Sequence, residues 1–223
     1  MLKIALDFLF CQDMEVLGDF FRFFNDPQHI IEAGGLLLLI FIIFVENGLI
    51  FGLFFPGDSL LFIAGLLVAT QPNLLSVDLF TLQISLILAS VFGNGTGYWF
   101  GKRWGRKLYQ RPDGIVFKRK YLVATERYYE KNGGKTLIIG KFLPYIRTLA
   151  PIVAGVIRVP LVKFWTFNVV GSLLWVFSLT FLGYFLGIQF PWLKQYVEWI
   201  AIGFVVLASI AVFRAYRKSQ KET

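Results

Sequence analysis

Very little in this chain can ligate a metal or cross-link the backbone: its 223 residues include one cysteine, Cys11, and one histidine, His29. A single cysteine closes no internal disulfide, and one histidine cannot assemble a Cys/His metal cluster, so no cofactor is expected. The same scarcity removes the base of a serine hydrolase, because Ser59, Ser172 and Ser178 have no histidine near them in sequence. Two membrane-depth carboxylates with no third acid or histidine beside them make a poor metal site, and no enzymatic activity is expected. Charge is scarce too. Charged residues make up 16% of the chain against 57% hydrophobic and 18% aromatic, and the mean hydropathy is +0.65. That leaves too little polar surface for a soluble globule and predicts an all-α integral membrane protein.

The charge that is present is unevenly placed. Residues 1–101 carry Lys3 and Arg22 against nine acids, whereas residues 102–135 carry eleven bases and three acids. A basic run could contact nucleic acid. Between apolar spans the positive-inside rule explains it better, so 102–135 is expected to be a cytoplasmic loop and no nucleic-acid partner is expected. Arg214, Arg217, Lys218 and Lys221 put the C-terminal tail, 214–223, on the same side. Residues 1–33, with Lys3 ahead of a short apolar run interrupted by Asp7, read as a mature amphipathic interfacial segment and not as a secretory signal.

Parity then constrains the crossings. Spans at 161–187 and 195–213 carry the chain out and back, so the apolar stretch at 136–157 should not cross. It contains Lys141, Arg147, Pro144 and Pro151, and the two prolines are expected to break its helical ladder. A re-entrant hairpin is predicted, since irregular backbone at membrane depth is tolerated where protein or a wet cavity surrounds it. Residues 36–70 repeat this logic around Pro56 and Gly57.

The two hairpins belong to a predicted internal repeat. Ala64-Gly65 precedes a span that ends Gly97-Tyr98-Trp99-Phe100-Gly101, and Ala154-Gly155 precedes one that ends Gly183-Tyr184-Phe185-Leu186-Gly187. The first ending runs into the basic loop and the second meets uncharged sequence, so repeat 1 (36–101) and repeat 2 (136–187) should be inverted. Inverted repeats with broken helices at a shared midplane site are transporter architecture. Gly93, Gly97 and Gly101 recur every fourth residue and read as a small-residue packing face, having no Lys-Ser/Thr that would make a phosphate loop.

Four ionisable groups lie at membrane depth, where each is costly and needs a reason. Arg147, between two prolines, can grip a phosphate monoester bidentately, or it can pair with Glu46 or Asp58 and close the repeats. Lys141 can assist it or extend toward the cytoplasmic face. Asp58, in Pro56-Gly57-Asp58-Ser59, suits a helix cap or a proton carrier. Glu46 follows ten apolar residues, Leu36 to Val45, where capping does not explain it and proton carriage does. Trp99, Trp104, Trp165, Trp192 and Trp199 read as interfacial belt residues.

Several separated motifs resemble those of the DedA family of bacterial membrane proteins over most of residues 40–187. They are Glu46 twelve positions before Asp58 in Phe-Pro-Gly-Asp-Ser-Leu; Gly93-Asn94-x-x-Gly97-Tyr98-x-x-Gly101; Lys141-Phe-x-Pro-x-x-Arg147-Thr-x-x-Pro151-x-x-x-Gly155; and Asn168-x-x-Gly171-x-x-x-Trp175. The resemblance implies an inner-membrane protein that translocates lipid, with undecaprenyl phosphate or phospholipid as substrate. It also implies dependence on the proton-motive force, with functional acids at Glu46 and Asp58 and a functional arginine at Arg147. Lys141 stands where the family usually has arginine, which forfeits the planar fork, and Asn94 stands where it often has aspartate. Flippase-type transport of a lipid phosphate, with protons as the coupling partner, is the leading expectation. The alternatives are a proton-coupled exporter of cations or drugs, which would bind its substrate at the acidic hairpin, and an energy-independent phospholipid scramblase. Homo-oligomerisation stays open.

Overall fold

The computed structural model describes residues 27–48, 57–110, 119–196, 199–200 and 203, and among them it is helical, with turns and extended linkers between helices. The predicted last span at 195–213, the tail, residues 1–26 and Pro56 lie wholly or almost wholly outside the described residues.

Helix α1 (Pro27–Gly48) is broken at Gly35, whose φ of 53° and ψ of −145° are not helical. Glycine accepts that conformation because it lacks a Cβ. The apolar part after the break covers roughly 20 Å at 1.5 Å per residue, short of the ~30 Å hydrocarbon core. Helix α2 (Gly57–Thr70) is similarly short, and almost all of it is buried. A single turn, α3 (Pro72–Leu75), leads to α4 (Leu79–Gln110). The stretch Leu79–Gly105 is long and apolar enough to cross a membrane, as is α8 (Leu161–Gln189).

The basic segment expected as a loop from 102 is helical at both ends. α4 continues to Gln110, and α5 spans Arg119–Asn132. Lysine and arginine are good helix formers, and α4 ends two residues before Pro112, which cannot continue it. Gly133, with φ of 58°, follows α5 in the left-handed conformation.

The stretch expected as a hairpin at 136–157 is an interrupted run of helical pieces. One turn, α6 (Thr136–Ile139), is followed by a 3-10 turn at Gly140–Phe142, extended backbone at Leu143, and then α7 (Pro144–Val156). Pro144 starts α7, where its missing N–H costs nothing. Pro151 does not break the helix as the sequence suggested: it lies inside α7. Its lack of an N–H leaves the Arg147 carbonyl without the usual i→i−4 donor.

Two helix pairs frame the interior. α2 packs on α8 and α7 packs on α4, each through glycines that touch the partner's backbone. Gly65 lies on the Thr180 carbonyl and Gly183 on the Phe62 carbonyl, while Gly155 lies on the Tyr98 carbonyl and Gly101 on the Ile152 carbonyl. Gly93 meets the Phe44 carbonyl of α1, and Gly97 approaches Pro151 and Ile152. Small residues that admit such approach are how helices associate in lipid, where apolar burial gives no net drive. One apolar cluster, including Leu60, Ile63 and Trp175, fills the α1/α2/α8 side, and a second, including Ile152, Val153 and Phe164, fills the α4/α7 side. The outward faces of α4 and α8 expose large apolar residues such as Phe92, Leu174 and Phe181, as lipid-facing helices do.

Candidate functional site

Four elements converge on one buried charged cluster. Glu46 comes from near the end of α1, Asp58 from the first turn of α2, Lys141 from the 3-10 turn before α7, and Arg147 from the first turn of α7. Arg147 Nη2 pairs with Glu46 Oε1 and its Nη1 with Asp58 Oδ1, both at 2.5 Å. The fork is thus divided between carboxylates of two different helices. Arg147 is 5% exposed and Glu46 is sealed, whereas Asp58 is 33% exposed. The Glu46 carboxylate rests against Gly57, where a Cβ would clash with Oε2 and the carboxyl carbon. That explains why glycine opens α2.

Lys141 occupies a different seat. Its ammonium donates to Asn47 Oδ1 at 2.8 Å and to Ser90 Oγ at 2.6 Å, both neutral acceptors. Ser90 passes the chain on to Ser172 Oγ at 3.0 Å, Ser172 to Asn168 Oδ1 at 3.5 Å, and Asn94 donates to the same Asn168 oxygen at 2.6 Å. This chain crosses from α4 to α8 through the interior.

Trp175 joins the two seats. Its Nε1–H donates to Asp58 Oδ1 at 2.8 Å, and Lys141 Nζ and Arg147 Cζ stand 4.9 and 5.0 Å from its ring centroid. Four buried polar atoms make no hydrogen bond among the described residues: Arg147 Nε, Asn94 Oδ1 and the two Glu46 carboxylate oxygens, of which Oε1 has its ion pair with Arg147. No set of three His, Cys, Asp or Glu side chains that could hold a metal occurs there either.

The structure therefore gathers Glu46, Asp58, Lys141 and Arg147 from positions spread over a hundred residues. It keeps Gly93, Gly97 and Gly101 apart from them as packing contacts. Asn47, Ser90 and Trp175 were missed as site residues. A polar residue beside Glu46, a serine within an apolar span and a tryptophan midway along a span were the available signals.

Such a buried, charge-balanced cluster between short helices and two membrane-length ones fits an all-α membrane protein with a buried polar site. The VTT domain matches residues 55–185. The chain is 39% identical over 171 residues to protein DedA of Escherichia coli K12, covering 77% of each chain. It is 37% identical over 203 residues to an uncharacterized membrane protein of Mycobacterium leprae, covering 89% of each. To the inner membrane protein YqjA of Escherichia coli K12 it is 32% identical over 193 residues, covering 84% of this chain and 79% of that one. No solved structure matches. This chain belongs to the DedA family of VTT-domain membrane proteins.

Proposed function

We propose that this protein is a flippase-type transporter that moves a lipid phosphate, most specifically undecaprenyl phosphate, across the bacterial inner membrane, driven by the proton-motive force. The observation that carries the reading is Arg147 divided between Glu46 and Asp58. A guanidinium is matched to a phosphate monoester, and here both terminal nitrogens are already committed to groups that can take up protons. Protonating either carboxylate removes its negative charge and frees a guanidinium nitrogen for the headgroup. Asp58 is the more exposed of the two. Arg147 Nε adds a donor without a partner among the described residues, and Lys141 supplies a second positive charge. The cycle is binding and release, with no covalent chemistry.

In this reading the two halves are inverted repeats around the site, each with a re-entrant hairpin. Support comes from the glycine contacts. Gly65 stands on the α8 backbone and Gly155 on the α4 backbone, each three residues beyond the carbonyl, Phe62 or Ile152, that receives Gly183 or Gly101. On these contacts Gly101 corresponds to Gly183, one helical turn away from the Gly-Tyr match in sequence, and Ser90 corresponds to Ser172. The basic segment 102–135 and the C-terminal tail face the cytoplasm.

The test is translocation of undecaprenyl phosphate in proteoliposomes with and without an imposed pH gradient, comparing wild type with Arg147→Ala. Gradient-stimulated movement lost in the variant is expected. Movement equal to that of empty liposomes would overturn the substrate assignment. Movement indifferent to the gradient would leave a scramblase.

A further inference from the structure

The ionisable groups account for substrate and protons, but they do not account for the largest side chain among them. Trp175 is fully buried and lies midway along α8. The other tryptophans with described side chains, Trp99, Trp104, Trp165, Trp192 and Trp199, are all exposed. A buried indole brings one N–H that has to be satisfied and a π-face that attracts cations. Here the N–H is spent on Asp58, and the ring stands within 5.0 Å of both cationic centres, Lys141 and Arg147. Asp58 Oδ1 thereby receives two donors at once, Arg147 Nη1 and Trp175 Nε1.

We infer that Trp175 is a positioning residue of this site: its indole N–H holds the Asp58 carboxylate in place for Arg147, while its ring sets where Lys141 and Arg147 stand relative to one another. It acts through these three side chains. When Asp58 takes up a proton and releases Arg147, the oxygen held by the indole stays anchored, so the guanidinium moves while the carboxyl does not. The charged groups around it are Glu46 from α1, Asp58 from α2, Lys141 from the 3-10 turn and Arg147 from α7. The contribution of the ring is separable from that of the N–H, because phenylalanine keeps a π-face and donates nothing.

The test uses the full chain in lipid nanodiscs with 15N-indole tryptophan, each resonance assigned by a single Trp→Phe replacement. The Trp175 indole signal is expected to move in Asp58→Asn while the other five stay in place. A Trp175 signal that stays in place in Asp58→Asn overturns the proposal. The second arm rests on the transport reading: Trp175→Phe is expected to lower proton-driven lipid-phosphate movement about tenfold or more, the scale of a lost charge-assisted hydrogen bond. Trp165→Phe should leave movement unchanged, and adding Trp175→Phe to Asp58→Asn should cost nothing further. Transport in Trp175→Phe equal to wild type would also overturn the positioning role. If the wild type moves no lipid phosphate at all, the transport reading fails, and the indole resonance still decides this one.

Discussion

Ser90 and Ser172 hydrogen-bond to each other at 3.0 Å with both side chains fully buried, so the two membrane-length helices α4 and α8 meet through a polar contact at their crossing. Ser90 Oγ also accepts from Lys141 at 2.6 Å. Replacing Ser90 with alanine removes an acceptor from a buried ammonium and should lower stability by about 1–3 kcal/mol, since hydrogen bonds to charged groups lie in that range. Ser172→Ala should cost less, because Ser90 keeps Lys141. Reversible unfolding in detergent measures both, and equal losses would contradict the ranking.

Removing Arg147 strands two carboxylates in the interior. Arg147→Ala should destabilise the protein by about 3–5 kcal/mol, the scale for breaking a buried ion pair by deleting one partner. Arg147→Lys should fold better, because it keeps the charge, yet transport poorly, because a single ammonium cannot serve two carboxylates and a phosphate with a planar fork. Thermal melting and proteoliposome flux, read on the same preparations, separate the two effects.

Glu46→Gln with Asp58→Asn should leave Arg147 without an anionic partner from these helices. Lipid movement in this double variant should lose its response to the pH gradient. Retained gradient dependence would show that the coupling group is elsewhere.

Helix contact in lipid depends here on missing Cβ atoms. Gly183→Ala and Gly101→Ala would each place a methyl on a partner's backbone carbonyl, Phe62 or Ile152, and backbone cannot move aside as a side chain can. Each should destabilise by about 1–3 kcal/mol, the usual cost of overpacking. Gly95→Ala meets only the rim of the Trp165 ring and should be milder. Melting temperatures of the three variants decide the order.

Asp78 caps α4 from outside the membrane span. Its carboxylate accepts the Phe80 and Thr81 amides at 3.0 and 3.1 Å and the Thr81 hydroxyl at 2.6 Å, and the Thr81 side chain, followed by its amide, holds it below the ordinary 3.8. A depressed folded-state value means that the cap's stabilisation is present above pH 3.8 and is lost as pH falls through the folded-state value. Asp78→Ala should therefore melt lower than wild type at neutral pH, with the gap closing in acid. A gap independent of pH would assign the effect to helix propensity.

Much of the molecule was legible without coordinates because lipid imposes strict rules on composition. Apolar length marked the spans at 79–101 and 161–187, and the cost of burying charge singled out Glu46, Asp58, Lys141 and Arg147. Proline was read less well. Pro151 suggests a break in sequence, but a helix tolerates one lost hydrogen bond when neighbouring helices hold it in place. Gly97-Tyr98 and Gly183-Tyr184 look alike in sequence, whereas the glycines that rest on a partner's carbonyl are Gly101, on Ile152, and Gly183, on Phe62. Identity of letters reports composition, and register is decided by which carbonyl a glycine rests on.

By itself the sequence determined that this chain enters a membrane and marked four ionisable side chains set in apolar sequence, since hydropathy and the price of desolvation act residue by residue. It left open whether Arg147 meets Glu46, Asp58 or neither. The tertiary structure decided that it meets both, that Lys141 is seated on Asn47 and Ser90, and that Trp175 stands among them. Those partners lie 51 to 117 positions apart along the chain, and the packing of α1 and α7 on α4 and of α2 on α8 brings them within a few ångströms.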